Sequence, residues 1–333
     1  MRAPDFWWQP EAGRLLSPLG FIYGAVARWR MQLQGHRAGV PVICLGNLTV
    51  GGAGKTPAAL AVARVLLAAH ERPFFLTRGY GGALKGPLRV NPSMHKATDV
   101  GDEPLLLARL APTIVARDRV EGAKLARSAG AGVIVMDDGF QNPSLAKDLA
   151  VILVDGRRSI GNGRIIPAGP LRAPLKMQVA RAQALVIVGP ADRASAVADM
   201  AKHEGVAVFH GRLEPDCTVL TALGRRKVLA FAGIGDPGKF FATLAAAGVN
   251  VADAVGFPDH HRYRAAEAQR LIARAAAENL MLLTTEKDAA RLNGEPALAA
   301  LAAHASALPV RLVIEEHDVF RDMVLKAARR RSL

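Results

Sequence analysis

The feature that most constrains this chain is a glycine-rich segment that joins a strand pattern to a helix pattern. The apolar residues 40–45 predict the strand, and residues 57–67, rich in Ala, Leu and Val, predict the helix. This order is typical of a phosphate-binding loop, in which backbone N–H groups surround an anion at a helix N-terminus. An ordinary strand–turn–helix unit with a surface lysine is the alternative. We predict that the whole segment binds a nucleotide: Thr49, Val50, Gly51, Gly52, Ala53, Gly54, Lys55 and Thr56.

Composition limits the class of fold and the kind of partner. Half of the 333 residues are hydrophobic and only 5% are aromatic, which favours helices packed on sheets in one large or two medium domains. The net charge of +14 indicates an acidic partner, such as nucleic acid, anionic lipid or a phosphorylated substrate. The two cysteines, Cys44 and Cys217, lie far apart, which favours a reducing compartment over a disulfide framework. The absence of a signal-peptide pattern and of a spanning apolar run leads us to expect a cytoplasmic protein.

The first 36 residues carry an apolar stripe at helical spacing, flanked by arginines. Such a stripe, with tryptophan in it, is typical of a helix that lies in the headgroup region of a bilayer. A helix packed against the body of the protein would show a similar pattern. The stripe consists of Leu15, Leu19, Ile22, Val26, Trp29 and Leu33, and the arginines are Arg14, Arg28, Arg30 and Arg37.

Two pairs of carboxylates stand next to predicted elements. Asp137 and Asp138 follow an apolar strand pattern, where they could hold Mg²⁺ directly or through water, or could be solvated in a turn. Asp102 and Glu103 precede the helix predicted over residues 105–110. Capping of that helix explains one of these two carboxylates, but it does not explain both.

Several basic residues follow other predicted strands. Arg78 comes after the strand predicted at residues 73–76, where it would meet phosphate or lie in solvent. The long loop over residues 156–172 is rich in Arg, Gly and Pro, which suggests anion recognition. Farther along the chain, His260 and His261 follow Asp259; they could be metal ligands, a general base pair or surface residues.

The pattern of elements changes around residues 211–227, and a second α/β series follows. We therefore predict three parts: a membrane-associating amphipathic segment over residues 1–36, a phosphate-loop core domain over residues 37–215, and a smaller α/β domain over residues 216–333 that closes over the cleft. The predicted fold is an α/β, P-loop NTPase-like, mostly parallel sheet flanked by helices, with this second domain beside it.

Together these residues make the chain resemble the tetraacyldisaccharide 4′-kinase (lipid A 4′-kinase) family from about Trp8 to Lys326. The family shares Thr49 in place of the first loop glycine, whereas Ala173 stands where the family often has Glu. The motifs that carry the resemblance cover residues 46–57, 78–81, 100–104, 137–141, 161–163 with 167–172, 259–261 and 284–288. The resemblance implies transfer of phosphate from ATP to the 4′-hydroxyl of a lipid-linked glucosamine disaccharide, at the cytoplasmic face of the inner membrane.

The resemblance also suggests roles for individual residues. Lys55 would hold the triphosphate, Asp102 would accept the proton of the sugar hydroxyl, and His260 would orient or tune Asp102. The Mg²⁺ ligands would come from Thr56, Glu103, Asp137 and Asp138. Contacts to the acceptor's own phosphate would come from Arg78, Arg117, Arg119 and Arg172.

Two other functions compete with this hypothesis. A nucleotide switch of the deviant phosphate-loop type would hydrolyse ATP without an acceptor. A nucleic-acid binder would explain the charge, but the sequence has no recognisable module or aromatic stacking platform, so we expect no nucleic acid. We expect the protein to act as a monomer.

Overall fold

The computed structural model describes residues 4–330. The predicted first and last segments therefore each include three terminal residues, 1–3 and 331–333, that lie outside the described residues. Within the described range the strands are β1 Val42–Asn47, β2 Pro73–Thr77, β3 Leu88–Arg89, β4 Thr113–Val115, β5 Val133–Asp137, β6 Leu149–Asp155, β7 Ala184–Val188, β8 Ala207–Pro215, β9 Val228–Ala232, β10 Val251–Gly256, β11 Met281–Thr285, β12 Ala305–Leu308 and β13 Val310–Ile314.

Helices connect most of these strands, as the alternating sequence patterns predict. The α-helices are α1 Ser17–Gln32, α2 Lys55–Ala68, α3 Ala97–Val100, α4 Asp102–Ala108, α5 Arg119–Ser128, α6 Leu175–Val179, α7 Ser195–His203, α8 Cys217–Leu223, α9 Pro237–Ala246, α10 Ala265–Ala277, α11 Glu286–Leu292, α12 Ala299–His304 and α13 His317–Ala328. Short 3₁₀ turns occur at Asp5–Trp8, Arg14–Leu16 and Pro296–Leu298.

The large domain is built on a nine-stranded sheet in the order β13-β8-β7-β6-β1-β5-β2-β4-β3. The strands from β8 to β4 run parallel, and the edge strands β13 and β3 pair antiparallel with their neighbours. Every residue of β1, β5 and β7 is buried, because helices cover both faces of the sheet. Their continuous runs of Val, Ile and Leu are the sequence signal of such strands, and the predicted α/β fold class is confirmed.

The smaller domain has a four-stranded parallel sheet in the order β10-β9-β11-β12. Its core contains Phe231, Leu271 and Leu283, from strands and helices of this domain. In both domains, loops follow the carboxyl ends of parallel strands. The two sheets therefore bring loops that are distant in sequence to a shared cleft.

The last part of the chain returns to the large domain. The predicted smaller domain, residues 216–333, does not allow for this return. Strand β13 pairs antiparallel with β8 of the large sheet, and Phe320 and Val324 of α13 pack in the core beneath α2. By sheet membership the smaller domain therefore ends at β12, and the last described helix belongs to the large domain.

Helix α1 lies on the loop that follows β6, with its small residues facing that loop. A Cβ atom on Gly20 would come within 2.8 Å of the backbone oxygen Ile165 O, so glycine is needed there, and one on Gly24 would come within 2.7 Å of Ile165 Cδ1, which would have to shift. Trp7, in the 3₁₀ turn Asp5–Trp8 that precedes the helix, is buried and donates its indole N–H to Pro167 O at 3.0 Å. The helix therefore docks through the face opposite to the apolar stripe, and the stripe itself is exposed to solvent.

No helix within residues 4–330 combines the length and the hydropathy that a bilayer-spanning helix requires.

Candidate active site

The glycine-rich segment forms an open loop between β1 and α2, at the carboxyl edge of the large sheet. Gly51 and Gly54 have positive φ angles of 128° and 85°, which glycine adopts without strain. A Cβ atom on Gly51 or Gly52 would meet no atom within 4 Å, so the loop faces unfilled space. Asn47 Nδ2 donates to Gly51 O at 3.0 Å, and the Val50 N–H donates to Pro170 O at 2.9 Å. The loop is thus fixed at its base and free over its glycines.

Buried oxygens without partners lie at the start of α2 and the end of β5. Thr56 Oγ1 and both carboxylate oxygens of Asp137 are buried and make no hydrogen bond. Burial raises the pKa of Asp137 to about 7, with a further contribution from the negative charge of Glu103. Oxygen atoms in this state are those that a hard cation would satisfy, so the set fits Mg²⁺. Among residues 4–330, no group of three or more His, Cys, Asp or Glu side chains is placed to hold a metal ion. Nucleotide phosphates and water would therefore have to complete the coordination shell of Mg²⁺.

Asp138 stands between two cations in a strained backbone conformation. Its φ angle is 52°, and a positive φ is uncommon outside glycine. Its Oδ1 lies 2.7 Å from Arg172 Nη1 and 3.7 Å from Lys55 Nζ. Burial alone would raise the pKa of this carboxyl, but the charges of Lys55 and Arg172 outweigh that effect and lower it. The side chain is therefore an anion that connects the phosphate loop to the basic loop after β6.

The other predicted arginines differ in their surroundings. Arg119 is buried, its Nε has no hydrogen-bond partner, and its charge interacts with those of Asp137 and Arg78. Arg78 itself is exposed at the end of β2. Arg117 is also exposed, and its backbone N–H donates to Lys85 O at 2.8 Å. Of these three arginines, Arg119 is thus the one whose charge interacts with a predicted metal ligand, and no described contact connects Arg117 to those ligands.

A cavity of about 260 Å³ separates α4 of the large domain from the loop after β10 in the smaller domain. Asp102 and His260 both line it, and His260 Nδ1 lies 3.5 Å from Asp102 Oδ2. His260 has a φ angle of 54°, and its ring packs against that of Tyr80 with 4.9 Å between centroids. The neighbouring His261 instead bonds Glu267 at 2.9 Å. The histidine directly after Asp259 is therefore the one that pairs with Asp102.

Arg291 of α11 is a site residue that the sequence analysis missed. Its Nε lies 2.8 Å from Asp102 Oδ2, and its Nη1 donates to Gly233 O at 2.6 Å and to Asp288 Oδ1 at 2.8 Å. Gly233 O also accepts the backbone N–H of His260 at 3.0 Å. One guanidinium therefore bonds Asp102 of the large domain and the same carbonyl that accepts the backbone N–H of His260 in the smaller domain. The local sequence shows only that Arg291 lies three residues after Asp288 on the same helical face, which does not point to Asp102.

Lys287, on the same helix, forms a second connection across the cleft. Its Nζ lies 2.5 Å from Glu103 Oε1. From the sequence alone, a lysine directly after a strand pattern would more simply be expected to lie in solvent. Burial raises the pKa of Glu103, but the positive charge of Lys287 outweighs it, so the net shift is downward. Glu103 thus serves an interdomain ion pair in this structure.

Further ion pairs join the two domains through the basic loop after β6. Asp155 pairs with Lys239 at 2.9 Å, and Arg158 pairs with Asp236 at 2.9 Å. These contacts lie at the end of β6, whereas those of Arg291 and Lys287 involve α4. Charged side chains therefore hold the smaller domain in its position over the cleft.

The fold and the site define a phosphate-loop nucleotide-binding protein with an acceptor cavity, which is the arrangement of a phosphotransferase. A sequence model of the family described as tetraacyldisaccharide-1-P 4′-kinase matches residues 12–329. The chain belongs to this family, and the resemblance inferred from the motifs is confirmed.

Individual relatives agree with this assignment. The chain is 54% identical to the tetraacyldisaccharide 4′-kinase of Rhodopseudomonas palustris strain BisB18 over 98% of its own length and 96% of that protein. It is 52% identical to the enzyme of the same name from Afipia carboxidovorans, over 100% and 98% of the two chains. Among solved structures, LpxK from Aquifex aeolicus in complex with ATP matches with a TM-score of 0.73 and 28% identity, covering 95% of this chain and 99% of that one. The nucleotide-switch alternative is not favoured by these relatives.

Proposed function

We propose that this protein transfers the γ-phosphate of ATP to the 4′-hydroxyl of a tetraacyldisaccharide 1-phosphate, a step in lipid A biosynthesis. The observation that carries the proposal is the placement of an Asp–His pair in a cavity at the same cleft as the glycine-rich loop. Phosphoryl transfer requires in-line positioning of the acceptor and neutralisation of charge on the phosphates. The cavity side of the cleft would position the hydroxyl, and the loop side would neutralise the charge. Membership of the kinase family supports the choice of acceptor.

The nucleotide would lie on the open face of the loop formed by residues 49–56. The amides of residues 51–54 and Lys55 would hold its phosphates. Mg²⁺, when bound, would neutralise charge on the phosphate oxygens, with Thr56, Asp137 and Asp138 as its nearest protein ligands. Glu103 would contribute only after Lys287 releases it, because the lysine now occupies the carboxylate.

Proton removal from the acceptor is assigned to Asp102 and His260 acting together. Asp102 Oδ1 accepts the Glu103 N–H at 2.9 Å and Oδ2 accepts Arg291, so the carboxylate is already fully oriented. The Asp102 side chain is only 2% exposed, whereas that of His260 is 27% exposed to the cavity. Asp102 therefore supplies the negative charge of the pair, and His260 is the member that an incoming hydroxyl meets more readily.

The acceptor would enter the cavity by its sugar end. About 260 Å³ is room for part of a disaccharide and excludes four acyl chains, which would stay outside the protein. Arg119 and Arg172 lie beside the predicted metal ligands, where they would stabilise the transferring phosphoryl group. Arg78 and Arg117 are exposed and would meet the acceptor's own phosphate. One chain supplies every residue of the site, so we propose a monomer that requires no nucleic acid.

Replacing Arg291 with glutamine is expected to lower kcat by about 10- to 100-fold, since a charge-assisted hydrogen bond to the catalytic carboxylate is lost. Loss of the positive charge raises the pKa of Asp102 from its depressed value, so kcat/KM of the variant should fall at low pH, where the wild-type carboxyl stays ionised. Arg291→Lys keeps the positive charge and should not show this fall. The pH profiles of both variants measure this effect, with Arg270→Gln on the surface of α10 as the control. Equal loss of rate at every pH would indicate a structural role only.

We further propose that α1 holds the protein on the anionic cytoplasmic face of the inner membrane. Its outward side exposes the apolar stripe, including Ile22 and Trp29 at 62% each and Leu19 at 54%. A stripe of this size is costly in water and is stabilised in the headgroup region, while the flanking arginines attract anionic lipid.

Replacing Ile22, Val26 and Trp29 together with glutamine should weaken binding to anionic vesicles by about 10²-fold. The estimate assumes about 1 kcal/mol for each half-buried apolar side chain. Fold and thermal stability should change little, because the three side chains are exposed and belong to none of the described core clusters. Vesicle co-sedimentation measures the effect, and Val319→Gln, an equally exposed apolar position on α13, is the control. Unchanged sedimentation of the triple variant would refute the membrane role of α1.

The decisive test of the overall function is phosphate transfer from radiolabelled ATP to tetraacyldisaccharide 1-phosphate, resolved by thin-layer chromatography. We expect a labelled lipid product and little ATP turnover without the acceptor. ATP hydrolysis at the same rate with and without the lipid would contradict the proposal and would favour a nucleotide switch.

A further inference from the structure

A second cavity, of about 190 Å³, lies under the C-terminal end of α1. Lys147 precedes the first residue of β6 by two positions, and Gln183 immediately precedes β7. Because β1, β6 and β7 are parallel, these residues lie at the amino edge of the sheet, opposite to the phosphate loop. Strand β6 has seven residues, so roughly 20 Å of strand separates the two edges. The cationic end of the cavity therefore lies away from the catalytic cleft, whereas Gln141, which also lines the cavity, donates to Asn47 O at the carboxyl end of β1 at 2.7 Å.

The walls of this cavity carry two cations and no carboxylate. Lys147 Nζ donates to the neutral Asn142 O at 2.8 Å, and within residues 4–330 neither Lys147 nor Arg181 forms an ion pair. Burial lowers the pKa of Lys147, and the nearby charge of Arg181 lowers it further. Gln183 uses Oε1 to accept the Ala150 N–H at 2.8 Å, which leaves its amide NH₂ to donate. Donors and uncompensated positive charge at one cavity favour an anion.

The cavity also adjoins the apolar stripe of α1. Met31 and Leu33 line it, and Leu33 is the last residue of the stripe, 46% exposed. A ligand with a phosphate in the cavity could therefore extend its hydrocarbon past Leu33 toward the apolar stripe of α1. This combination of phosphate and acyl chain is that of a membrane lipid.

We propose that this cavity binds the phosphate of an anionic glycerophospholipid from the bilayer, with Lys147 and Arg181 as its charged contacts. The inference rests on the proposed membrane association of α1. The kinase acceptor also carries a lipid phosphate, but its reacting hydroxyl must lie beside Asp102 at the opposite edge of the sheet. The bilayer lipid is therefore the better candidate, and it would fix the orientation of the enzyme on the membrane.

The test counts phosphatidylglycerol molecules bound to the full-length protein by native mass spectrometry in a neutral detergent. We expect one tightly held lipid on the wild type and its loss in the double variant Lys147→Gln, Arg181→Gln. Arg181→Glu alone, at an exposed side chain that carries no core contact, should also lose it and guards against misfolding of the double variant. The control removes two exposed charges from α1 itself, Arg28→Gln and Arg30→Gln, and should keep the lipid.

Vesicle binding gives the second measurement. On vesicles containing phosphatidylglycerol the cavity double variant should bind roughly 30-fold more weakly, from about 1 kcal/mol for each cation near an anionic surface. On pure phosphatidylcholine vesicles it should bind like the wild type. An equal lipid count in the cavity variant and the wild type, or equal loss in the α1 arginine control, would overturn the proposal.

Kinase assays in detergent separate the two lipid phosphates. The KM for the disaccharide 1-phosphate should be unchanged in the cavity variant. A raised KM with normal phosphatidylglycerol binding would assign the cavity to the acceptor and overturn the inference. Failure of the wild type to bind any vesicle would refute membrane association, whereas the lipid count in detergent tests the cavity separately.

Discussion

Replacing Asp102 with asparagine is expected to lower kcat by about 10²–10⁴-fold while ATP still binds, since a positioned base commonly contributes that factor. The change keeps the shape of the side chain but removes the charge that faces His260 and Arg291. Asp102 is buried, and its pKa is well below the ordinary range because His260 and the charge of Arg291 outweigh the cost of burial. The wild-type carboxyl is therefore ionised at any pH at which the enzyme works.

The measurement for Asp102→Asn is steady-state transfer to the lipid acceptor, with nucleotide affinity determined separately by calorimetry. Asp199→Asn, at an exposed position on α7, is the matched control and should behave like the wild type. The His260→Ala variant should lose a comparable factor, and the double variant should lose little more, because members of one unit are not additive. Turnover near the wild-type rate in Asp102→Asn would remove this residue from proton transfer.

Much of the large domain could be predicted because its signals are local. A continuous apolar run marks each buried parallel strand, and the glycine-rich loop identifies the edge at which the site lies. The pairs Asp137–Asp138 and Asp102–Glu103 could be singled out because the first follows a strand pattern and the second precedes a helix pattern. Local patterns give the order of elements, and the rule that ligands bind beyond the carboxyl ends of strands then gives the site.

Contacts between distant segments could not be predicted in the same way. Arg291 meets Asp102 across 189 residues, and nothing in either segment specifies the other. Strand β13 returns to β8 for a similar reason, since a short β-prone run does not indicate which sheet it joins. For α1 the sequence showed the apolar stripe but not which face of the helix packs against the rest of the protein. Gly20 and Gly24, four residues apart on the opposite face, were the signal for that side.

Replacing Lys55 with alanine is expected to weaken ATP binding by about 10-fold or more and to lower kcat as well, because a charge-assisted contact to the phosphates is worth about 1.5–3 kcal/mol. In the structure Lys55 Nζ lies 3.7 Å from Asp138 Oδ1, and the lysine side chain is only 11% exposed at the start of α2. The variant leaves Asp138 with Arg172 as its remaining cation, so the fold should survive. It would nevertheless remove the lysine ammonium of the loop that would hold the triphosphate.

The two catalytic variants should therefore fail differently, which tests the division of the cleft into a nucleotide side and an acceptor side. Lys55→Ala should raise the KM for ATP and lower kcat, whereas Asp102→Asn should lower kcat with ATP affinity retained. Lys202→Ala, an exposed lysine on α7, controls for loss of charge. If Lys55→Ala changes neither ATP affinity nor rate, the glycine-rich loop does not hold the phosphates, and the proposed geometry of transfer is wrong at its first step.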